Sequence, residues 1–170
     1  MNLNRALIET PLGQMVAIAD DTALYLLEFA DCKSLSRELQ KLQQQYNTLI
    51  VPGSTAITKA IEHELVDYFS GVLRVFSTPI AQYGTLFQNS VWHVLQTIPF
   101  GSTAAYAHIA QAIGNPAAFR AVANASRCNQ FAIIVPCHRV IKSNGSLSGY
   151  DGGLMRKQWL LAHEKQNCKF

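Results

Sequence analysis

Three side chains able to do chemistry stand in a row at Cys137, His138 and Arg139, between the apolar runs Ile133-Ile134-Val135 and Val140-Ile141. A thiol beside two basic groups is a candidate nucleophile. The thiolate is the reactive form, and neighbouring positive charge lowers the thiol pKa from its reference of about 8.5. An isolated free cysteine is more often a small buried hydrophobe, and the basic neighbours are what set Cys137 apart. Such a nucleophile needs a base within reach and a third group to orient the base. Pro136, just before the thiol, has no amide hydrogen to donate, so it suits a place where strand pairing stops. The apolar run therefore reads as a buried strand that delivers the polar triplet at its end.

A second set of residues has the chemistry to meet phosphate. From Tyr106 to Lys157 the chain carries four arginines and two lysines against one acid, Asp151. That excess points to an anionic partner, with a solvated basic face as the plain alternative. Within it, residues 117–126 read Ala-Ala-Phe-Arg-Ala-Val-Ala-Asn-Ala-Ser, a helix with few long polar side chains. Reading bases in the major groove takes Arg, Lys, Asn or Gln, and here Arg120 and Asn124 are the strong candidates. Small residues such as Ala121 instead let a helix lie close against a surface.

The elements that must position these groups follow from periodicity and breakers. From Leu7 onward, residues 13–19 and 23–29 read as strands joined by Asp20-Asp21-Thr22. Leu35, Leu39, Leu42 and Tyr46 recur at helical spacing, and 48–51 is a further strand closed by Pro52-Gly53. Ser54 is the expected cap of a helix bearing Ile57, Ile61, Leu65 and Phe69, with Gly71 past its end. Periodicity lapses between Phe76 and Gly84, which places a domain boundary near residue 80 and divides the chain into 1–80 and 81–170. Thr85 and Gln88 spell a capping box before Phe87, Val91, Leu95 and Ile98. Residues 103–113 form the next helix. Gly114 closes it, and Asn115-Pro116 opens the helix that carries Arg120. Two short helices across such a turn spell a helix-turn-helix, a pattern that also occurs in proteins that never meet DNA. Residues 142–146 and 149–153 are loops, and a helix over 154–164 closes the chain.

Composition narrows the classes. The 170 residues are 49% hydrophobic and 15% charged, with a net charge of +3, as expected of a globular protein with an ample core. Apolar runs fall well short of the roughly 20 residues that span a bilayer. No apolar segment follows Met1 as in a secretory signal, so the expected location is the cytoplasm, with no membrane partner. Cys32, Cys128, Cys137 and Cys168 are scattered without a C-x-x-C pair, and Cys32 and His63 do not make a ligand set. Neither a disulfide framework nor a metal is expected.

The spelling Pro136-Cys137-His138-Arg139-Val140 resembles the acceptor-cysteine signature of the O6-alkylguanine-DNA alkyltransferases. Phe87-Gln88, Val91-Trp92 and Ile98-Pro99-Phe100-Gly101 are similar to that family's text before its DNA-binding element. The resemblance implies a small α/β N-terminal domain, ribonuclease H-like, and a mostly α-helical C-terminal domain with a helix-turn-helix. It implies that Cys137 accepts the alkyl group, that His138 acts on the thiol through a bound water, and that Glu164 orients His138. It also implies that Tyr106, Asn129, Val140 and Tyr150 belong to the base pocket, with Asn129 holding the hinge before the active segment. Arg120 would fill the place of the extruded nucleotide and Tyr106 would help to rotate it. The helix bearing Arg120, Ala121 and Asn124 would lie in the minor groove. Arg139 reads as a structural anchor. Two positions depart from the pattern: Ala105, where relatives carry Ser or Thr, and Asp151, where Ser or Ala is more familiar.

The implied reaction is direct DNA repair. Alkyl would pass once from O6-alkylguanine in duplex DNA, with O4-alkylthymine as a second candidate substrate, to the Cys137 sulfur of a monomer. The product thioether has no release route and no cofactor is needed. A lesion sensor without transfer activity would share the scaffold but replace the acceptor cysteine, which is present here. A sequence-reading regulator is disfavoured by the alanine-rich helix. A cysteine hydrolase is disfavoured because adjacent residues seldom face each other as a thiolate–imidazole pair requires.

Overall fold

The computed structural model describes residues 2–169, and the chain divides into two compact units, one ending at Gln82 and the other beginning at Tyr83. In the first unit, β1 (Leu3–Ile8), β2 (Met15–Ala19), β3 (Leu24–Phe29) and β4 (Ile50–Pro52) form one mixed sheet in the order β3–β2–β1–β4. β1 and β3 flank β2 antiparallel, and β4 runs parallel to β1. Every residue of β2 and β3 is buried, which is why these strands read as unbroken apolar runs. β1 buries Leu3 and Ile8 but leaves Arg5 and Leu7 out, so it carries no such run and begins well before the expected strand start at Leu7.

The β2–β3 hairpin is held by Asp20, whose Oδ1 accepts from the Thr22 and Ala23 amides at 2.7 and 2.9 Å while Oδ2 accepts from the Tyr25 hydroxyl. Helix α1 (Leu35–Tyr46) covers a core of Leu3, Val16, Ile18, Tyr25, Leu26 and Leu42. Helix α2 (Ala56–Phe69) is capped by Thr55 rather than by the expected Ser54. Thr55 and Thr58 exchange side-chain and backbone bonds at 2.8 and 3.2 Å, a reciprocal box that Ser54 is one residue too early to make. The segment where periodicity lapses is not loose: Leu24 donates to Pro79 and accepts from Ala81, both at 2.8 Å, so 79–81 runs along the β3 edge.

In the second unit, α3 (Leu86–Gln96) starts at the Thr85–Gln88 capping box and buries Val91, Trp92 and Leu95. The Trp92 indole donates to the Ala125 carbonyl at 2.9 Å, which ties α3 to α5 (Phe119–Arg127). α4 (Tyr106–Ala112) is shorter than the expected 103–113. Ala104–Ala105 forms a two-residue strand, β5, parallel to β6 (Val140–Ile141), so the chain is extended where a helix start was read. Ala105 occupies the cap position of α4 without a side-chain bond, and a Ser or Thr there would add about 1 kcal/mol. The turn after α4 uses Gly114 at φ +76° and a turn at 115–118, in which Ala118 donates to Asn115. α5 therefore begins at Phe119, not directly after Asn115-Pro116. α6 (Leu154–Asn167) closes the unit.

The expected strand before the thiol is a tight turn. Ile134 bonds back to Ala132, Val135 to Phe131 and Cys137 to Val135, and Ile133 sits at φ +72°. Burial was legible in this run, but the backbone partners are local carbonyls and the Asn129 side chain instead of a neighbouring strand. A β-branched residue in the left-handed region costs on the order of 1–3 kcal/mol, here held by the packing of Phe131, Ala132, Ile133 and Val135.

Candidate active site

The thiol and its neighbours come from a single turn. Cys137, His138 and Arg139 form one turn of 3-10 helix, with Cys137 half-buried and the other two buried. Asn129, just after α5, reaches into the turn: its amide nitrogen lies 2.8 Å from the Val135 carbonyl and 3.3 Å from the Cys137 sulfur. Its oxygen accepts from the Phe131 amide at 2.9 Å. One buried side chain thus fixes both ends of the loop and presents a hydrogen-bond donor to the sulfur, where it favours the thiolate.

His138 and Arg139 both turn toward Glu164 on α6. His138 Nε2 is 2.7 Å from Glu164 Oε1. Arg139 grips the same carboxylate with Nε at 2.8 Å and Nη2 at 2.9 Å, and Nη1 donates to the Ile98 carbonyl at 2.6 Å. The Gly101 amide adds a fourth donor to Glu164 at 3.2 Å. The Arg139 guanidinium also lies 5.8 Å from the centroid of the Phe100 ring. Only glycine fits at 101: its φ is +79°, and a Cβ there would stand 2.5 Å from the Cys168 Cβ.

The charges follow from these contacts. Burial alone would raise Glu164, but the bonds from His138 and Arg139 outweigh it and hold the carboxylate well below its usual range. Burial lowers His138, and the Arg139 charge adds to that against the pull of Glu164. The ring is therefore neutral near pH 7. With Glu164 ionised, Nε2 carries the hydrogen that is donated and Nδ1 keeps its lone pair. Nδ1 is buried and bonds to no other described residue. A neutral ring oriented by a carboxylate, with its second nitrogen bare, is the form of histidine that takes up a proton.

Lys157 joins this cluster, a place that the sequence reading did not give it. It is wholly buried on α6, and its Nζ donates to the Ser148 carbonyl at 2.8 Å, the carbonyl that also faces the Tyr106 hydroxyl at 3.4 Å. Burial pulls its ammonium down to about 8, and the negative charge of the Cys137 thiolate works against that fall. The signal was present in the spacing: Lys157, Leu160 and Glu164 share one helical stripe, and all three are buried. A lysine and a glutamate on a core stripe mark a site rather than a surface.

The remaining residues divide into two groups. Val140 is fully buried and pairs with Ala104. Tyr150 is half-buried in the loop before α6, where its carbonyl accepts from Gly153 at 2.9 Å. Arg127, at the end of α5, lies against Gly149 of the same loop, since a Cβ there would come within 2.8 Å of its guanidinium. Arg120, Ala121 and Asn124 share the exposed side of α5, while Val122, Ala125 and Ser126 fill the buried side. A cavity of about 500 Å³ is lined by Tyr106, Phe119, Arg120, Lys142 and Ser148 among others. Among its described lining residues, only Tyr106 belongs to the expected base pocket.

Residues 86–166 match the family model described as 6-O-methylguanine DNA methyltransferase, DNA binding domain. The methylated-DNA–protein-cysteine methyltransferase of Shigella flexneri is 40% identical over 160 residues, 92% of each chain. That of Methanosarcina acetivorans is 40% identical over 163 residues, 94% of this chain and 96% of the relative. The crystal structure of Mycobacterium tuberculosis OGT in complex with DNA superposes with a TM-score of 0.83 at 36% identity, covering 96% of this chain and 94% of that one. A half-buried thiol beside a buried histidine–glutamate pair, on a chain this similar along nearly its whole length, leads to one conclusion: the protein belongs to the 6-O-methylguanine-DNA methyltransferase family.

Proposed function

We infer that this protein repairs DNA by taking the alkyl group from O6-alkylguanine onto Cys137, once per molecule. The observation that carries the reading is a half-buried thiol next in sequence to a neutral imidazole that a buried carboxylate orients. His138 Nδ1, which bonds to no described residue, takes the thiol proton through a water molecule. The sulfur then attacks the alkyl carbon, a C–S bond forms and the bond from that carbon to O6 breaks. The electron pair stays on guanine, which takes up one proton as it leaves. Glu164 keeps the Nε2 hydrogen in place and is a positioning residue. The thioether product cannot regenerate the thiol, so the reaction is stoichiometric.

The base must leave the duplex to reach the sulfur, at a cost of about a few kcal/mol that is smaller for a damaged pair. In this reading α4, the turn at Gly114 and α5 act as a helix-turn-helix whose small-residue face, with Arg120, Ala121 and Asn124, lies in the minor groove. Arg120 takes the vacated place in the stack, and Tyr106 guides the nucleotide. The unit beginning at Tyr83 holds this machinery, and the β3–β2–β1–β4 sheet with its helices is the ribonuclease H-like companion. The cytoplasm is the matching location.

The test is mass spectrometry after incubation with a duplex bearing one O6-methylguanine. One methyl group on the peptide containing Cys137, saturating at one per protein, is the expected result. Unmodified protein that still binds the lesion would indicate a sensor, and no preference for the lesion would remove both readings. Cys137→Ala keeps binding and loses transfer, whereas Arg120→Ala weakens both.

A further inference from the structure

Helix α5 begins with two adjacent exposed side chains, Phe119 and Arg120. Phe119 is 49% exposed although it is the largest apolar side chain of its helix, and the buried face is supplied without it by Val122, Ala125 and Ser126. The Arg120 guanidinium carbon stands 5.9 Å from the Phe119 ring centroid, so the cation covers one face of the ring. Phe119 and Ala123, one helical turn apart, line the cavity of about 500 Å³ with Tyr106, Arg120 and Lys142. Two aromatic rings and two cations around one opening are the ingredients of sites that hold unpaired nucleotides: bases stack on the rings, and the cations meet the backbone.

We propose that the Phe119 ring is a stacking platform for the extruded nucleotide, uncovered when Arg120 leaves it to enter the duplex. The inference rests on the repair reading above, in which Arg120 fills the vacated place. In the free protein the guanidinium occupies the ring face. On the damaged duplex the two exchange: the guanidinium moves into the stack, and the base that left the stack meets the ring. The stacking lost in the duplex is thereby partly recovered beside the cavity, and Phe119 is a positioning residue for the reaction.

The test compares single-turnover methyl transfer from a duplex bearing one O6-methylguanine for the parent protein and for Phe119→Ala, Phe119→Leu and Phe119→Tyr. Circular dichroism and thermal midpoints establish that each variant is folded. The Ala and Leu variants slow transfer by about tenfold, while Tyr, which keeps the ring, stays within about twofold of the parent. A 2-aminopurine next to the lesion reports extrusion, and its fluorescence gain falls in Ala and Leu but not in Tyr. An Ala variant within about twofold of an active parent overturns the inference, as does a Tyr variant as slow as Ala. A parent that accepts no methyl group at all overturns the repair reading itself, and the inference with it.

Discussion

Glu164 and His138 meet at 2.7 Å with both side chains closed to solvent, and the same carboxylate is held on two atoms by Arg139. A buried carboxylate of this kind fixes the imidazole tautomer, but it also carries a charge that only its partners make tolerable. Glu164→Gln keeps the shape and leaves the Arg139 guanidinium buried without its counter-ion. The expected loss is about 3–5 kcal/mol in urea unfolding at pH 7. The folded-state pKa of Glu164 lies below its ordinary 4.5, so its contribution is present above that pH and is lost as the pH falls below it. The difference between parent and variant should therefore shrink on acidification from about pH 4.5. A difference that stays constant down to the acid limit would mean that the ion pair is not what stabilises the site.

Much of this site was legible in the sequence, and the two misreadings have separate causes. Cys137, His138 and Arg139 announced themselves by type and adjacency, and the helices by their periodic apolar residues. What failed was the form of the backbone at the turn that carries Cys137. The run before Pro136 is buried as expected, yet a buried run says nothing about which groups satisfy its backbone, and here nearby carbonyls and the Asn129 side chain do so. The start of α4 failed for a different reason: Ala104-Ala105 has helical composition but is drawn into pairing with Val140-Ile141. At α4 local preference yields to a long-range pairing, whereas before the thiol a tight turn satisfies its own backbone. The burial of Lys157 and the exposure of Phe119 depend on what packs around their helices, which helical spacing alone does not give.

Arg139 separates charge from geometry. Arg139→Lys keeps the positive charge near Glu164, but an ammonium cannot span both carboxylate oxygens and the Ile98 carbonyl. The expected cost is about 2–3 kcal/mol, in line with the loss of charged hydrogen bonds from a buried group. Denaturant midpoints measure it. Stability equal to the parent's would show that the fork geometry contributes nothing.

Gly101 links the end of α3 to Glu164 through its amide, and it does so at a φ that favours glycine. Gly101→Ala adds a methyl group 2.5 Å from the Cys168 Cβ and strains the backbone as well. A loss of at least about 1–3 kcal/mol is expected. Gly101→Ala with Cys168→Gly relieves the contact but not the backbone strain, so the double variant recovers only part of the loss. Full recovery would assign the whole effect to the collision.

Lys157 gives the site an alkaline signature. Its ammonium titrates at about 8 in the folded protein against an ordinary 10.5, because burial disfavours the charge. Between those values the unfolded chain binds a proton that the folded protein does not, so stability rises with pH across that window. Lys157→Met lacks this term. The stability of the parent relative to the variant should climb from pH 8 to pH 10.5, by up to about 3 kcal/mol. Transfer should respond in the opposite sense. Below pH 8 the ammonium stands near the Cys137 sulfur and favours the thiolate, so the variant is slower. As the lysine loses its proton that advantage fades, and the ratio of parent to variant rates falls toward one. Paired urea titrations and single-turnover rates over this range measure both effects. A rate ratio that does not change with pH would show that Lys157 acts only by holding the Ser148 carbonyl, not by its charge.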